Sequence, residues 1–420
     1  MKGSHSSVSI TFALCIICLQ RTLGVPELKL VHVLFAHKLH APREDYAGTE
    51  SLPRVLSYEY FTSARMNMPN AASLNMYNLG VHLREVYDEF LGVELQTYDI
   101  TRIRTTEQAL SMLSGQLVNA GLWPPTEAQT WMVGMNWQPV PIDYVKLKKD
   151  VLMLGSLCPN FISQMNQALE TAEMREMISH YQNLFDYLSY YTKRNISTPS
   201  DVALLYASLE TMADEDEKLP YWAMDVFPDG TMYNVTLLEY DILSATPLQR
   251  QLNGGTFLAE VIGNSLMYTL SEMPKNCKMM LYSGDDRNIA GVLKNLDLWS
   301  PHIPNEAAAL IFELYFDNDT DTYAIKIKYY TGIDKTTIAL SLPNCAEMCP
   351  LQTLLDTVFK SIPQNPQELC SWTVGDSMEA EDADSLTHDD SSNNNGSILY
   401  ENESLIFNLM LLYLVALVLS

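Results

Sequence analysis

Residues 30–42 read LVHVLFAHKLHAP, an apolar run that stops in two histidines, a lysine and a proline. Leu28–Phe35 mixes Leu, Val and Phe with few polar residues, which predicts a buried strand of an α/β sheet. A second segment is built the same way: KMMLYS at 278–283 is followed by GDDRNIAG at 284–291. In an open α/β sheet, ligands bind outside the carboxyl ends of the strands, where neighbouring connections diverge. If the two strands are neighbours, His37 and His40 face Asp285 and Asp286 across one crevice.

Around these two strands the pattern is mixed. Ala71–Leu95 carries Leu74, Met76, Leu79, Leu83, Val86, Tyr87 and Phe90 at helical spacing, and Glu107–Ala120 is a second helix candidate. The segment from Asn160 to about Ala245 is rich in helix formers, with interruptions at Pro199 and Pro220, and Thr256–Leu270 is helical again. Strand character returns in Ala309–Phe316 and Thr322–Tyr330, which predict an antiparallel hairpin at the sheet edge. One α/β domain with an inserted helical segment accounts for this order better than two domains in series.

The ends do not belong to that body. Ser9–Leu19 is an apolar run behind Lys2, too short to span a bilayer comfortably, and reads as a secretory signal covering residues 1–24. Leu405–Leu419 is almost wholly apolar, with Ser420 after it and small residues upstream at 391–397. Small residues, spacer and tail fit a glycolipid-anchor signal; a retained tail helix is the alternative for residues 404–420. Residues 373–403 include Asp376–Asp390, with seven acids and no Lys or Arg, an acidic stalk with little to bury. The net charge of −25 argues against nucleic-acid binding, which needs a basic face.

Seven cysteines are present, of which Cys15 and Cys18 lie in the signal segment. In an oxidising compartment, Cys158, Cys277, Cys345, Cys349 and Cys370 give two bridges and one leftover thiol. Asn-x-Ser/Thr sequons begin at Asn195, Asn234, Asn318, Asn395 and Asn402, as on an exterior surface. The predicted location is the secretory pathway, at the cell surface, secreted, or on a lysosomal or vesicular membrane.

The chain resembles the histidine acid phosphatase family, in its secreted and lysosomal animal branch. That family's first motif is Arg-His-Gly-x-Arg-x-Pro directly after the first strand, and its last is a His-Asp pair after a strand reading like MYSAHD. LYSGDDRNIAGVLKNLDLW at 281–299 follows the last pattern, and IRTTEQALSMLSGQLVNAGLWPP at 103–125 resembles the Arg-Ser-Thr and Phe-Pro-Pro stretch. WQPVPI at 137–142, ELYF at 313–316 and CAEMCPLQTL at 345–354 are similar to further family segments. The likeness spans roughly residues 27–372. It implies the histidine phosphatase fold, α/β with a central mixed sheet and flanking helices, over residues 25–372, plus an inserted α-helical cap at about 145–250. It also implies disulfides Cys158–Cys370 and Cys345–Cys349, leaving Cys277 as a buried thiol or an intermolecular bridge.

In the family reaction a histidine attacks phosphorus, arginines hold the phosphoryl oxygens, and an aspartate protonates the leaving alcohol. By the resemblance, His37 stands at the nucleophile, Asp286 at the proton donor and Arg104 at a phosphate-binding arginine. Ala36 and His40 stand where two arginines are expected, Lys38 replaces the glycine, and Asp285 replaces the histidine of the last pair. Lys38 could reach a phosphate as a point charge, and His40 could do so when protonated. The expectation is an anchored pseudophosphatase with absent or very weak hydrolysis and a binding role, or else an active acid phosphatase. Two imidazoles and two carboxylates (His37, His40, Asp285, Asp286) also make a conceivable metal set, although no metal or cofactor is expected. Expected partners are a phosphomonoester or other small ligand in the cleft, the membrane through the C-terminal segment, a second copy in a homodimer, and no nucleic acid.

Overall fold

The computed structural model describes residues 25–38 and 68–371 apart from 96, 215, 217 and 275. The signal segment, His40, Pro42, the stalk, the apolar tail and the sequons at Asn395 and Asn402 lie outside the described residues. Strands are β1 Glu27–His37, β2 Thr101–Thr106, β3 Asp143–Val145, β4 Met279–Asp285, β5 Ala309–Asp317, β6 Thr322–Tyr330, β7 Thr337–Leu340 and β8 Cys349–Pro350. Helices of eight residues or more are α1 Asn70–Leu91, α2 Ala109–Leu122, α3 Pro159–Leu169, α4 Ala172–Ser179, α5 Gln182–Thr192, α6 Pro199–Asp214, α7 Thr231–Ile242, α8 Thr256–Thr269, α9 Asp286–Asn295 and α10 Leu351–Val358.

The sheet runs β3-β2-β4-β1-β5-β6-β7, with β8 also on β6. The β3-β2-β4-β1 half is parallel and the β1-β5-β6-β7 half antiparallel, so the sheet is mixed. The β5–β6 hairpin forms where the two runs flank Asp317–Asp321, but it is not the edge. β7 and β8, too short to stand out as apolar runs, close that side.

β1 is buried on both faces from Leu30 to His37, which is why it reads as a near-continuous apolar run. Its residues alternate between two cores. Val31, Val33 and Phe35 pack with Met279, Leu281 and Ile103 against α1 and α2. Leu30, Leu34 and Ala36 pack with Met280 and Tyr282 against α8, α9 and α10. On the first face, α1 and α2 meet backbone to backbone. A Cβ on Gly80 would lie 2.0 Å from Val118 O and one on Gly121 2.2 Å from Tyr77 O, so both crossing points require glycine.

Between β3 and α8 the longer elements are all helices, and α5, α6 and α7 gather an apolar cluster of their own around Phe185, Leu188, Leu205, Phe227 and Val235. Cys158, at the start of α3, is bonded to Cys370, and Cys345 to Cys349. Cys277 is a buried free thiol with its pKa pushed up to about 11 by burial. The sequon residues Asn195, Asn234 and Asn318 are all exposed.

One buried group sets a pH dependence. His32 lies in β1 with Nδ1 3.4 Å from the Tyr282 hydroxyl, and Nε2 has no partner among the described residues. Burial lowers its pKa from 6.5 to about 3. As pH falls, the unfolded chain protonates this ring first, so stability is lost progressively from 6.5 down to about 3. At pH 5 that loss is about 2 kcal/mol. His32→Leu should flatten the fall in unfolding free energy between pH 7 and pH 5 by about that amount, measured by urea titration. An unchanged pH slope would remove His32 as the cause.

Candidate functional site

β1 and β4 are neighbours, and both strands run further than the apolar pattern shows. His37 is the last residue of β1, Asp285 the last of β4, and the two are register partners. His37 and Asp285 therefore meet at adjacent strand ends, with Asp286 next in the chain at the start of α9; of the three, only Asp286 lines the small cleft beside Lys38 and Arg287. His40 lies outside the described residues.

His37 is buried, with Nδ1 3.4 Å from its neighbour's carbonyl, Lys38 O. Its Nε2 is buried without a hydrogen-bond partner among the described residues. Asp285 does two jobs at once. It ends β4 and caps α9, its carboxylate accepting from the Asn288 amide at 3.0 Å while its own N–H donates to Asn288 Oδ1 at 3.0 Å. Burial raises the Asp285 pKa, the Asp286 charge raises it further, and Arg287 and His37 act the other way. Asp286 is the first residue of α9. Tyr240 donates to its Oδ2 at 2.6 Å, and Oδ1 has no hydrogen-bond partner among the described residues.

Lys38 and Arg287 supply the positive charge of the crevice, and each is engaged by the helices above it. Lys38 Nζ lies 2.7 Å from Glu210 Oε1 of α6, and its backbone N–H donates to Glu306 Oε2 at 3.2 Å. Arg287 Nη2 lies 3.3 Å from Glu239 Oε1 of α7. Burial alone would depress both cations. For Lys38 the charges of Glu210, Asp214 and Glu306 outweigh it, and for Arg287 those of Glu239, Asp286 and Asp285 do, so both are held above their ordinary values. Glu210 and Glu239 are raised by burial in spite of these partners.

Lys38, Tyr206, Glu210, Glu239, Tyr240, Asp286 and Arg287 together line a small cleft with a free interior of about 30 Å³, room for a water or two. Three carboxylates thus face two cations. The N-terminus of α9, a natural seat for an anion, is already occupied by the carboxylates of Asp285 and Asp286.

Arg104 is not brought to this cleft. It sits in β2 level with Tyr282, while Asp285 lies three residues further along β4. By strand alternation it shares Tyr282's face, towards α8. There it pairs with buried Asp150 at 2.6 Å and donates to Thr105 O. The residue that the resemblance puts at a phosphate-binding position thus forms a buried ion pair with Asp150 in this structure. Ala36 is also buried, level with Gly284. Among the described residues no group of three or more His, Cys, Asp or Glu side chains converges for a metal. Glu210, Glu239 and Tyr240 carry no local sequence signal, since they sit in helices far from either strand. Arg287, next to Asp286, was in plain view.

Comparison with known proteins gives a consistent result. The profile of the histidine phosphatase superfamily (branch 2) matches residues 35–330. Venom acid phosphatase Acph-1 of Apis mellifera is 33% identical over 346 residues, covering 82% of this chain and 88% of that protein. Human lysosomal acid phosphatase is 26% identical over 358 residues, covering 83% and 81%. Among solved structures, the phytase from Citrobacter braakii matches in fold with a TM-score of 0.57 at 16% identity, over 83% of this chain and 100% of that one.

The buried Arg104–Asp150 pair separates a structural arginine from a ligand-binding one. Arg104→Met removes the ion-pair partner of Asp150 in the core and should cost about 3–5 kcal/mol of stability. Thermal unfolding checks this, and a stability within about 0.5 kcal/mol of the parent would contradict the structural role.

Proposed function

Since the chain belongs to the histidine phosphatase superfamily (branch 2) and is related to acid phosphatases, we propose that it is an exterior, membrane-anchored member whose cleft no longer hydrolyses phosphomonoesters at a useful rate and serves in binding. The observation that carries this reading is the register pairing of His37 with Asp285. For His37 Nε2 to attack, a phosphate dianion must sit against it. A carboxylate at the end of the adjacent strand opposes that placement, and two unit charges about 4 Å apart at an effective dielectric of about 20 repel by about 4 kcal/mol.

The cations do not offset the repulsion, because Lys38 and Arg287 are already paired with Glu210 and Glu239. Each missing preorganised donor to a transferring phosphoryl group costs on the order of 100- to 1000-fold in rate. With Ala36 at a position where the family carries an arginine, the deficit is severe even though such losses do not add. Its two disulfides, three exposed sequons, and relatives named for venom and lysosome favour a place in the secretory pathway. The apolar run Leu405–Leu419 behind the acidic stretch is the sequence feature that favours a membrane anchor.

Retained hydrolysis is the second reading, and one feature favours it. His37 Nε2 and Asp286 Oδ1 are both buried without hydrogen-bond partners among the described residues, as an attacking nitrogen and a proton donor awaiting substrate would be. Attack by Nε2 would form a P–N bond and break the ester P–O bond. The proton from Asp286 would go to the departing alcohol, and water would later release the phosphate.

Hydrolysis of an aryl phosphate from pH 4 to pH 8 tests these readings, with His37→Ala and the triple variant Ala36→Arg/His40→Arg/Asp285→His in parallel. The parent should turn over at least about 1000-fold more slowly than a full acid phosphatase, with no change in His37→Ala and a gain in the triple variant. Parent turnover that vanishes in His37→Ala would overturn the pseudophosphatase reading.

A further inference from the structure

We propose that Glu210 is a built-in anion: its carboxylate, bound to Lys38 Nζ, fills the cleft beside Asp286 in place of an external tetrahedral oxyanion, and such a ligand enters only when Glu210 is neutralised or withdrawn. The proposal rests on reading this cleft as a phosphatase-type cleft, and it says what now regulates access to it.

Geometry carries the argument. Lys38 directly follows His37, so its ammonium is the cation that the end of β1 delivers to the cleft. That ammonium is 2.7 Å from Glu210 Oε1, with side-chain exposures of 13% and 21%, well enough shielded for the attraction to count. Glu210 and Asp286 line the same small space. An incoming oxyanion would have to displace one carboxylate and tolerate the other. Arg287 offers no substitute, because Glu239 holds it.

The surroundings of Glu210 make the latch sensitive to acid. From its own helix it faces Asp214 and Tyr206; from the end of β1, Lys38; from α9, Asp286 and Arg287; from α7, Glu239 and Tyr240. Glu306 stands behind the Lys38 backbone. Burial and the two aspartates push Glu210 up and Lys38 pulls it down, with a net rise, while Lys38 itself is held above its usual value. On acidification Glu210 therefore takes the proton and Lys38 keeps its charge. The cleft then gains one unit of positive charge and a cation free to bind an anion.

Inorganic sulfate is a suitable probe, because its charge does not change between pH 5 and pH 7.5. Calorimetric titration of the whole chain in detergent would compare the parent, Glu210→Gln, Glu210→Ala and Glu210→Gln/Lys38→Met. Glu210→Gln or Glu210→Ala should bind sulfate at pH 7 at least about tenfold more tightly than the parent. Parent affinity should rise at least about tenfold from pH 7.5 to pH 5, and Glu210→Gln should rise much less. Other titrating groups act in both proteins, so the difference isolates Glu210. Adding Lys38→Met should abolish the gain. The latch is refuted if neither Glu210 variant binds more tightly than the parent, or if the gain survives Lys38→Met. If the Ala36→Arg/His40→Arg/Asp285→His protein binds sulfate while the Glu210 variants do not, the phosphatase-type cleft stands and the latch alone falls. If none of them binds sulfate, both fall.

Discussion

The parallel pairing of β1 with β4 sets His37 opposite Asp285, and the hydrophobic cores hold that register. A slip of one residue would turn Val31, Val33 and Phe35 away from α1 and α2 and bring Leu30 and Leu34 out of the opposite core. Each exchanged side chain would then sit in the wrong core, and misfits of that kind cost about 1–3 kcal/mol. The position of His37 is thus fixed by apolar residues of the two cores. Asp285 inherits the same precision and spends its carboxylate capping α9. Its effect on the cleft and its effect on the helix are one structural fact.

The polar contacts of the cleft also attach the helical segment to the sheet. Lys38 reaches α6 through Glu210, Arg287 reaches α7 through Glu239, and Asp286 reaches α7 through Tyr240. Each contact stitches an element of the α/β body to a helix between β3 and α8, and the first two also commit a cation that an anion would need. Breaking one partner of a buried pair leaves the other uncompensated. An anion entering this cleft would therefore compete with the contacts that join the helices to the sheet.

Much of the fold was legible because its main signals are local. The apolar runs of β1, β4, β5 and β6 and the periodic stripe of α1 are properties of short windows, and each formed within a few residues of its expected place. β7 and β8 were not legible, being four and two residues long and stabilised by a neighbour rather than by composition. Arg104 was placed by the resemblance alone; its position in β2 beside Ile103, and its pairing with Asp150, come from the tertiary fold. His37 and Asp285 could be placed together because they end apolar strands, with Asp286 next in the chain. Glu210, Glu239 and Tyr240 were not, since only the tertiary fold brings α6 and α7 over those strand ends.

The same burial that closes the cleft biases the fold with respect to pH, in two opposing directions. Asp150, Glu210, Glu239, Glu260 and Asp285 are all pushed up by burial, which outweighs their partners. A carboxyl whose folded pKa is raised costs stability above that pKa and regains it as pH falls, until the unfolded chain protonates as well. His32 works against this gain below 6.5, because its folded ring stays neutral down to about 3. As pH falls, relief of the buried carboxylates and the histidine penalty therefore act on stability in opposite directions. Glu210 belongs to the first set, so the protonation that would release Lys38 acts in the direction that relieves buried negative charge.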